Sequence, residues 1–232
     1  MTQSQAICWQ VYDNASELKA IASQTIIECA DKAIAERGKF SIVLAGATTP
    51  REVYRQLKTA KTDWSKWHIY FGDERCLPPT HPDRNSLMAR HTWLDHVAIP
   101  RPNIHEIPAE LGPEQGALAY CRVLDGIGEF DLVLLGFGED GHTASLFPDH
   151  PWEAQGAAAI PVFGAPKPPQ ERISLAASRL SAARRIIFLI TGASKRPAVA
   201  QWKKGGRLPA AAISPTAGTA VEVFIDRAAQ AE

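Results

Sequence analysis

A short apolar run that ends in glycine and then passes into polar residues occurs four times, and this repeated unit constrains the fold more than any other feature. The four copies lie at residues 41–50, 67–75, 130–142 and 184–197. Their apolar runs are continuous instead of alternating, which is typical of strands covered on both faces of a sheet. Segments with helical spacing separate them, at 50–60, 85–95, 115–125 and 195–203. The sequence therefore predicts the alternating strands and helices of a parallel α/β sheet.

Weaker strand candidates extend this alternation to both ends of the chain; they are Ile7 to Tyr12, Ile104 to Ile107, Ile173 to Ala176 and Val221 to Ile225. A long helix is predicted over 14–36, because Asn14 can cap its start with Glu17 in the third helical position, and Gly38 can end it. We expect a single α/β domain over residues 1–232, built on one doubly wound, mostly parallel sheet with helices on both faces. Two small domains are the less favoured alternative at this length.

The chain is formally neutral, with 25 basic and 25 acidic residues among its 232. It lacks the one-signed field by which proteins bind nucleic acid or a membrane surface, so we expect neither partner, and any anionic ligand should be small and held locally. No apolar stretch approaches the 18 or more residues of a membrane span. The N-terminus has no basic region followed by an apolar one, as a secretory signal would. A cytoplasmic location is therefore expected.

Disulfide bonds and metal sites are not indicated by the sequence. The four cysteines form no C-x-x-C pair and are Cys8, Cys29, Cys76 and Cys121. We expect reduced thiols that serve in packing. His91 and His96 are five residues apart, instead of the four that place two imidazoles on one helical face. We therefore expect no metal site.

A proline-rich segment interrupts the alternation between Pro148 and Arg172. It holds six of the 17 prolines and a run of small residues, Gly156 to Ala159. A long surface connection is one interpretation. A loop that borders or covers a site is the other, since loops of this length without secondary structure are uncommon unless they have a role.

Ligands of open parallel sheets bind beyond the carboxyl ends of the strands, where several loops meet. The polar residues that follow each glycine are therefore the candidates for a site; they are Thr48 and Thr49, Asp73 to Arg75, Glu139 to His142, and Ser194 to Arg196.

The turn after the first apolar run is a candidate phosphate site. Thr49 is predicted as the N-cap of the next helix, with Pro50 as its first residue and Glu52 as its third. Free N–H groups and the positive end of the helix dipole attract a phosphate at such a turn, and Gly46 lets the backbone come close. A plain strand-to-helix turn that binds nothing is the alternative. It is not a Walker loop, since G-x-x-x-x-G-K-[ST] is absent.

The third copy contains glycines at 136, 138 and 141 in G-x-G-x-x-G spacing. We do not expect nicotinamide or flavin binding, because prolines follow the third glycine where a helix should continue. His142 follows this turn, and Asp140 can orient its ring or support an imidazolium. A general base is favoured over a structural histidine at this location. Since no G-x-S-x-G elbow is present, attack by an activated water is favoured over an acyl-enzyme.

Arg75 and Lys195 are candidate partners for a bound anion. The guanidinium of Arg75 presents two parallel donors that match an oxyanion, and Lys195 adds a point charge after another strand. The alternative for Asp73, Glu74 and Arg75 is a surface turn with an internal ion pair. The residues by themselves therefore predict an enzyme that acts on a small phosphorylated molecule with a histidine base.

Five segments, all in the family's order, resemble the 6-phosphogluconolactonase family. They are GATTP (46–50), FGDER (71–75), LGFGEDGHTASLFP (135–148), PKPPQERISL (166–175) and FLITGASKR (188–196). The sequence after D-G-H is the most specific, because the related glucosamine-6-phosphate deaminases continue differently and end in an acidic catalytic residue. Arg75 also stands where the deaminases commonly have tyrosine.

The resemblance implies a modified Rossmann-like domain that hydrolyses 6-phospho-D-glucono-1,5-lactone to 6-phosphogluconate, the second step of the oxidative pentose phosphate pathway, without a cofactor. His142 would take a proton from the attacking water, and Asp73 and Asp140 would orient the substrate or the imidazole. Backbone donors around residues 136–141 would stabilise the oxyanion. The substrate-binding residues implied are Gly46, Ala47, Thr48, Arg75, Gly141 and Lys195. The chain departs from the family at Ala47, where glycine is common, and at Thr48, where serine is common.

Two alternatives remain open. An amino-sugar phosphate isomerase or deaminase needs a carboxylate that moves a proton between carbon atoms; Asp73 could serve, but no acidic residue follows the D-G-H stretch. A sugar-phosphate sensor of similar fold should carry a helix-turn-helix segment, and residues 1–40 supply no recognition helix. A monomer or small homo-oligomer is expected.

Overall fold

The computed structural model describes residues 6–152, 156–215 and 220–231. In this part of the chain, ten strands form a sheet of seven and a sheet of three. The strands are β1 (Ile7–Tyr12), β2 (Phe40–Leu44), β3 (Trp67–Phe71), β4 (Asp73–Arg75), β5 (Ile104–His105), β6 (Leu132–Gly136), β7 (Ala159–Val162), β8 (Arg172–Leu175), β9 (Ile186–Ile190) and β10 (Val221–Asp226). The helices are α1 (Ala15–Arg37), α2 (Thr48–Leu57), α3 (Asn85–Thr92), α4 (Pro113–Leu124), α5 (Ala177–Ser181) and α6 (Arg196–Lys203).

The seven-stranded sheet has the order β1-β10-β9-β6-β2-β3-β5, and every neighbouring pair is parallel. All five residues of β2 and of β9 are buried. Because successive side chains of a strand point to opposite faces, helices and loops must cover both faces of the sheet. The predicted doubly wound, mostly parallel α/β fold is confirmed.

The strand order reverses at β2. From there the chain runs outward through β3 to β5, and then returns to the other side of β2 to build β6, β9 and β10. The loops after β2 and β6 therefore leave the sheet in opposite directions, which opens a crevice at the carboxyl ends of these two strands.

The first long helix is confirmed. The Asn14 side chain accepts hydrogen bonds from the N–H groups of Ser16 and Glu17, at 2.9 and 3.0 Å, and so caps α1. Gly38 ends the helix with φ 76, and its N–H donates to the carbonyl of Ile34.

The prediction that Ile173 to Ala176 continues the parallel sheet is wrong. This stretch is β8, which pairs antiparallel with β4 and β7 in the small sheet. Gly72 joins the two sheets, since its N–H donates to Leu44 of β2 while its carbonyl accepts from Leu175 of β8. The segment 148–172 is not structureless either, because it contains β7; its residues 153–155 lie outside the described residues.

Two buried tyrosines hold the ends of the strands that border the crevice. The hydroxyl of Tyr54 on α2 donates to the Ala45 carbonyl and accepts from the Ala45 N–H, both at 2.9 Å. The hydroxyl of Tyr120 on α4 makes the same pair of bonds with Phe71, at 3.2 and 3.0 Å. Burial raises the pKa of both hydroxyls, so they remain neutral and able to donate.

All four cysteines are free. Three pack against the core, whereas Cys8 is exposed on the edge strand β1, so the packing prediction is wrong for Cys8.

None of the described helices is long and apolar enough to cross a membrane. Buried residues of both sheets belong to one hydrophobic cluster. The single domain over 1–232 stays a prediction, and residues 1–5, which bear on the secretory signal, lie outside the described residues.

Candidate active site

A cavity of about 300 Å³ opens at the crevice beyond β2 and β6. The loops after β2, β6 and β9, the β3–β4 segment and the proline-rich segment all contribute to its wall. The predicted site residues that line it are Gly46, Ala47, Asp73, Arg75, His142 and Lys195. The other three predicted residues are not part of the lining; they are Thr48, Asp140 and Gly141.

The turn after β2 differs from its predicted form. Helix α2 begins at Thr48, which makes Ala47 the N-cap, so the prediction of Thr49 as N-cap is wrong. The Thr49 hydroxyl instead bonds to the Thr191 hydroxyl at 2.7 Å and ties this turn to the loop after β9. Ala47 has φ 77 and ψ 175, a conformation that glycine adopts readily and alanine does not. Having no side-chain acceptor, Ala47 leaves the start of α2 uncapped.

Asp73 is buried, and neighbouring side chains hold both of its carboxylate oxygens. The Asn85 amide donates to Oδ1 at 3.1 Å, and the Ser145 hydroxyl donates to Oδ2 at 2.6 Å. Asn85 also donates to the Asp73 carbonyl, at 3.0 Å. The carboxylate is therefore fixed in the cavity wall.

The next residue anchors this part of the wall from behind. Glu74 is fully buried and accepts from the N–H groups of Arg75, Asn85 and Ser86 at 2.7–2.9 Å. It also pairs with the buried guanidinium of Arg84, with Nε 3.2 Å from Oε2. Burial raises the pKa of Glu74, and these donors oppose that shift. The alternative of a surface turn at 73–75 is wrong.

The cavity wall carries four cationic side chains: Arg75, Lys167, Arg172 and Lys195. Arg75 lies directly opposite Arg172 in the β4–β8 pair. Arg75 donates through Nη1 to the Asp83 carbonyl, while its buried Nε has no partner in the part of the chain that the structure describes. Arg172 donates to the carbonyls of Pro169 and Lys167. Burial lowers the pKa of Lys195; Glu139 opposes the shift and Lys167 adds to it.

His142 and Asp140 form a close pair beside the cavity. The distance from His142 Nδ1 to Asp140 Oδ1 is 2.5 Å. Partial burial disfavours the Asp140 carboxylate, but the hydrogen bond and charge of His142 outweigh it and lower the pKa of Asp140 to about 2. Because Asp140 is an acceptor, Nδ1 carries the proton, and Nε2 is the nitrogen that can accept one.

The loop that presents this pair is tightly packed. The N–H groups of Gly138 and Gly141 donate to the carbonyls of His142 and Gly138, at 2.8 and 3.1 Å. These two donors are therefore engaged within the loop and not available to an oxyanion. A Cβ at position 138 would lie 2.0 Å from His142 Nδ1, so a side chain there would displace the ring.

Sequence reasoning missed four residues that line or support the cavity: Asn85, Ser145, Lys167 and Arg172. Three of them lie in segments that carry the family resemblance, which was the available signal. Asn85 has no such signal, since its neighbours are polar and its position depends on the Glu74 anchor. The proline-rich segment borders the site through Lys167 and Pro168. No group of three or more potential metal ligands occurs among the described residues.

Residues 13–222 match the family model described as glucosamine-6-phosphate isomerases/6-phosphogluconolactonase. A 6-phosphogluconolactonase of Nostoc sp. is 40% identical over 201 residues, which cover 83% of this chain and 83% of that protein. A 6-phosphogluconolactonase of Synechocystis sp. is 43% identical over 179 residues, covering 73% of this chain and 74% of that protein.

Solved structures have the same fold. The 6-phosphogluconolactonase of Thermotoga maritima superposes with a TM-score of 0.88 at 25% identity, covering 95% of this chain and 100% of that one. A monomeric glucosamine-6-phosphate deaminase superposes with a TM-score of 0.82 at 21% identity, covering 95% and 98%. The fold by itself therefore does not separate the two activities.

Proposed function

Because this chain belongs to the glucosamine-6-phosphate isomerase/6-phosphogluconolactonase family, we propose that it hydrolyses 6-phospho-D-glucono-1,5-lactone to 6-phospho-D-gluconate in the oxidative pentose phosphate pathway. The observation that carries the proposal is the His142–Asp140 pair beside a cavity with four cationic side chains. This arrangement offers a general base together with charges for a phosphate. Relatives with 40% and 43% identity are 6-phosphogluconolactonases, which supports this substrate.

His142 acts as the base through Nε2. As a water oxygen bonds to the lactone carbonyl carbon, Nε2 takes a proton from that water and the carbonyl oxygen becomes an oxyanion. The bond from that carbon to the ring oxygen then breaks, and the proton passes from Nε2 to the departing oxygen, which becomes a hydroxyl. Asp140 keeps the ring oriented and stabilises the imidazolium between these steps. Asp73 accepts from a substrate hydroxyl or from the water.

The phosphate lies against the turn of Gly46, Ala47 and Thr48, with Arg75 and Lys195 as its cationic partners. The uncapped start of α2 supports this orientation, since it offers backbone donors to an anion. Arg75 supports it as well, since its guanidinium carries a positive charge and the residue lines the same cavity. Arg172 adds a further charge on the same wall. Gly141 contributes by shaping the loop, because its own N–H is engaged.

The isomerase alternative needs an acidic residue after the D-G-H stretch, and this chain continues there with Thr143, Ala144 and Ser145. The chemistry proposed for the chain requires no cofactor. We propose a monomer or a small homo-oligomer. We place the reaction in the cytoplasm.

The first test is the rate of loss of 6-phosphogluconolactone, corrected for spontaneous hydrolysis, beside an assay of ammonia release from glucosamine 6-phosphate. Saturable acceleration of the first reaction only is expected. His142→Ala should lower kcat by about 10²–10⁴-fold with little change in KM, the usual contribution of a general base. His91→Ala, at an exposed histidine, is the matched control. A near-normal rate for His142→Ala would remove that residue from the role.

A second test addresses the phosphate. Arg75→Ala removes a charged donor, so kcat/KM for the phosphorylated lactone should fall by about 10- to 100-fold. The wild type and Arg75→Ala should hydrolyse an unphosphorylated gluconolactone equally well. Arg227→Ala, at an exposed arginine that pairs with Asp13, is the control. Equal losses on the two lactones would contradict the placement of the phosphate.

A further inference from the structure

We infer that Asn85 is the positioning residue that aims the Asp73 carboxylate into the cavity. The inference rests on the proposed function and deepens it, because it assigns to Asn85 the task of holding the carboxylate that orients the substrate or the water. Asn85 belongs to α3, whereas Asp73 lies on a strand and His142 lies on a loop that follows one. The link between this helix and the site is therefore a separate feature of the fold.

The orientation of the Asn85 amide follows from its partners. Both atoms that its nitrogen contacts, the carbonyl oxygen and Oδ1 of Asp73, can only accept hydrogen bonds. The nitrogen must therefore face Asp73. The rest of the side chain packs against Gly46, where an added Cβ would lie 2.3 Å from Asn85 Oδ1. Asn85 therefore lies between the turn at Gly46 and strand β4, which carries Asp73.

The backbone of Asn85 is itself held in place. Its N–H donates to Glu74 Oε1 at 2.7 Å, and the next N–H, of Ser86, donates to Oε2 at 2.8 Å. Glu74 thereby caps the start of α3 while it is buried against Arg84. Asp73 and Glu74 are adjacent in β4. This short strand therefore anchors the start of α3 through Glu74 and contacts the first side chain of α3, Asn85, through Asp73.

Asn85→Asp is the sharpest test, because it keeps the size and replaces the donor with an acceptor next to Asp73. We expect kcat to fall by about 10- to 100-fold at pH 8. Two adjacent carboxylates share a proton as the pH falls, which restores a donor between them. The ratio of variant to wild-type kcat should therefore rise between about pH 8 and pH 6. A ratio that does not change with pH would overturn the inference.

Other ionisable groups near Asp73, and His142 on the wall of the same cavity, are present in both proteins, so both terms of the ratio contain them. Arg172 on β8 and Tyr54 on α2 interact with Asp73 from the facing elements, and Arg75 and Glu74 flank it on β4. Asn103→Asp makes the same chemical change at a distant asparagine that donates to the Ser65 carbonyl. It should leave the ratio flat.

A second experiment does not depend on the folding of Asn85→Asp. Gly46→Ala should displace Asn85 and so lower kcat, as Asn85→Ala should, and the kcat of the double variant should be no lower than that of either single variant. Additive losses would contradict the packing of Asn85 against Gly46.

If the wild type does not hydrolyse the lactone, the proposed function fails, and the inference about Asn85 is then tested by thermal stability. The Tm deficit of Asn85→Asp must then shrink with falling pH, and a constant deficit overturns the inference.

Discussion

Ala47 is the residue whose backbone is least suited to its side chain. Its φ of 77 and ψ of 175 fall in a region that costs a non-glycine residue about 1–3 kcal/mol. Glycine would remove this strain. It would also give the unfolded chain more conformational freedom, which lowers the free energy of unfolding by about 0.4–1 kcal/mol. We expect Ala47→Gly to raise the free energy of unfolding by about 1 kcal/mol, measured by urea denaturation.

Ala20→Gly is the control for this strain, since Ala20 is exposed in the interior of helix α1, where alanine is relaxed. The control should lower the free energy of unfolding. A lower value for Ala47→Gly as well would show that the turn stores no strain.

At the scale of single residues, position along the chain was the informative signal. His142, Arg75 and Lys195 were found because each follows a glycine near the end of a strand, and parallel strands bring such ends together. Arg172 and Asn85 could not be found in this way. Arg172 enters the cavity through an antiparallel pair with β4, and Asn85 through a helix anchored by Glu74, and neither contact leaves a local pattern.

At the scale of elements, Tyr54 ties α2 to the end of β2. Tyr54→Phe would leave the N–H and carbonyl of Ala45 without this partner, at a cost of about 1–3 kcal/mol in the free energy of unfolding. Urea denaturation measures the loss. Tyr12→Phe, whose hydroxyl donates to the Gln10 side chain, should have a smaller effect. Equal effects of the two substitutions would contradict a special role for the buried hydroxyl.

The strands of the large sheet were predictable because continuous burial leaves continuous apolar runs, as in β2, β3, β6 and β9. The same rule misassigned β8, whose four residues are all buried even though they belong to the small sheet. Burial on both faces looks the same in a sequence whichever sheet supplies the cover. In the structure, the chain passes from the large sheet to the small sheet at Gly72, and β8 pairs with β4, which follows that turn.

At the scale of the whole molecule, two histidines make stability depend on pH. The rings of His68 and His105 stack with centroids 5.9 Å apart, and burial lowers the pKa of both below 6.5. The charge of Lys39 adds to the shift at His68, and that of His68 to the shift at His105. The unfolded chain therefore takes up protons first as the pH falls. Stability should be highest above pH 6.5 and decrease below it, toward the lower pKa of the folded protein.

His105→Phe tests this dependence, since it keeps a ring beside Tyr70 and removes a titrating group. The fall in the urea midpoint between about pH 7.5 and pH 5.5 should be smaller in the variant than in the wild type. His91→Phe, at an exposed position, should fall as the wild type does. The hypothesis would be contradicted by equal falls in wild type and His105→Phe.

The fold class was predictable because strand and helix alternate from end to end. The strand order was not, since connections of similar length lead from β2 outward to β3, over residues 45–66, and from β5 back to β6, over residues 106–131. That reversal creates the crevice, so the site is a property of the topology as much as of its residues.

Arg75 and Arg172 lie opposite each other in the small sheet, and their positive charges repel each other. The negative charge of Asp73 partly offsets this repulsion. A dianion that enters between them relieves this repulsion, whereas a neutral sugar of the same shape leaves it in place. Under the proposed function, the repulsion between Arg75 and Arg172 favours a phosphorylated sugar over a free sugar, whatever contacts the sugar ring itself makes.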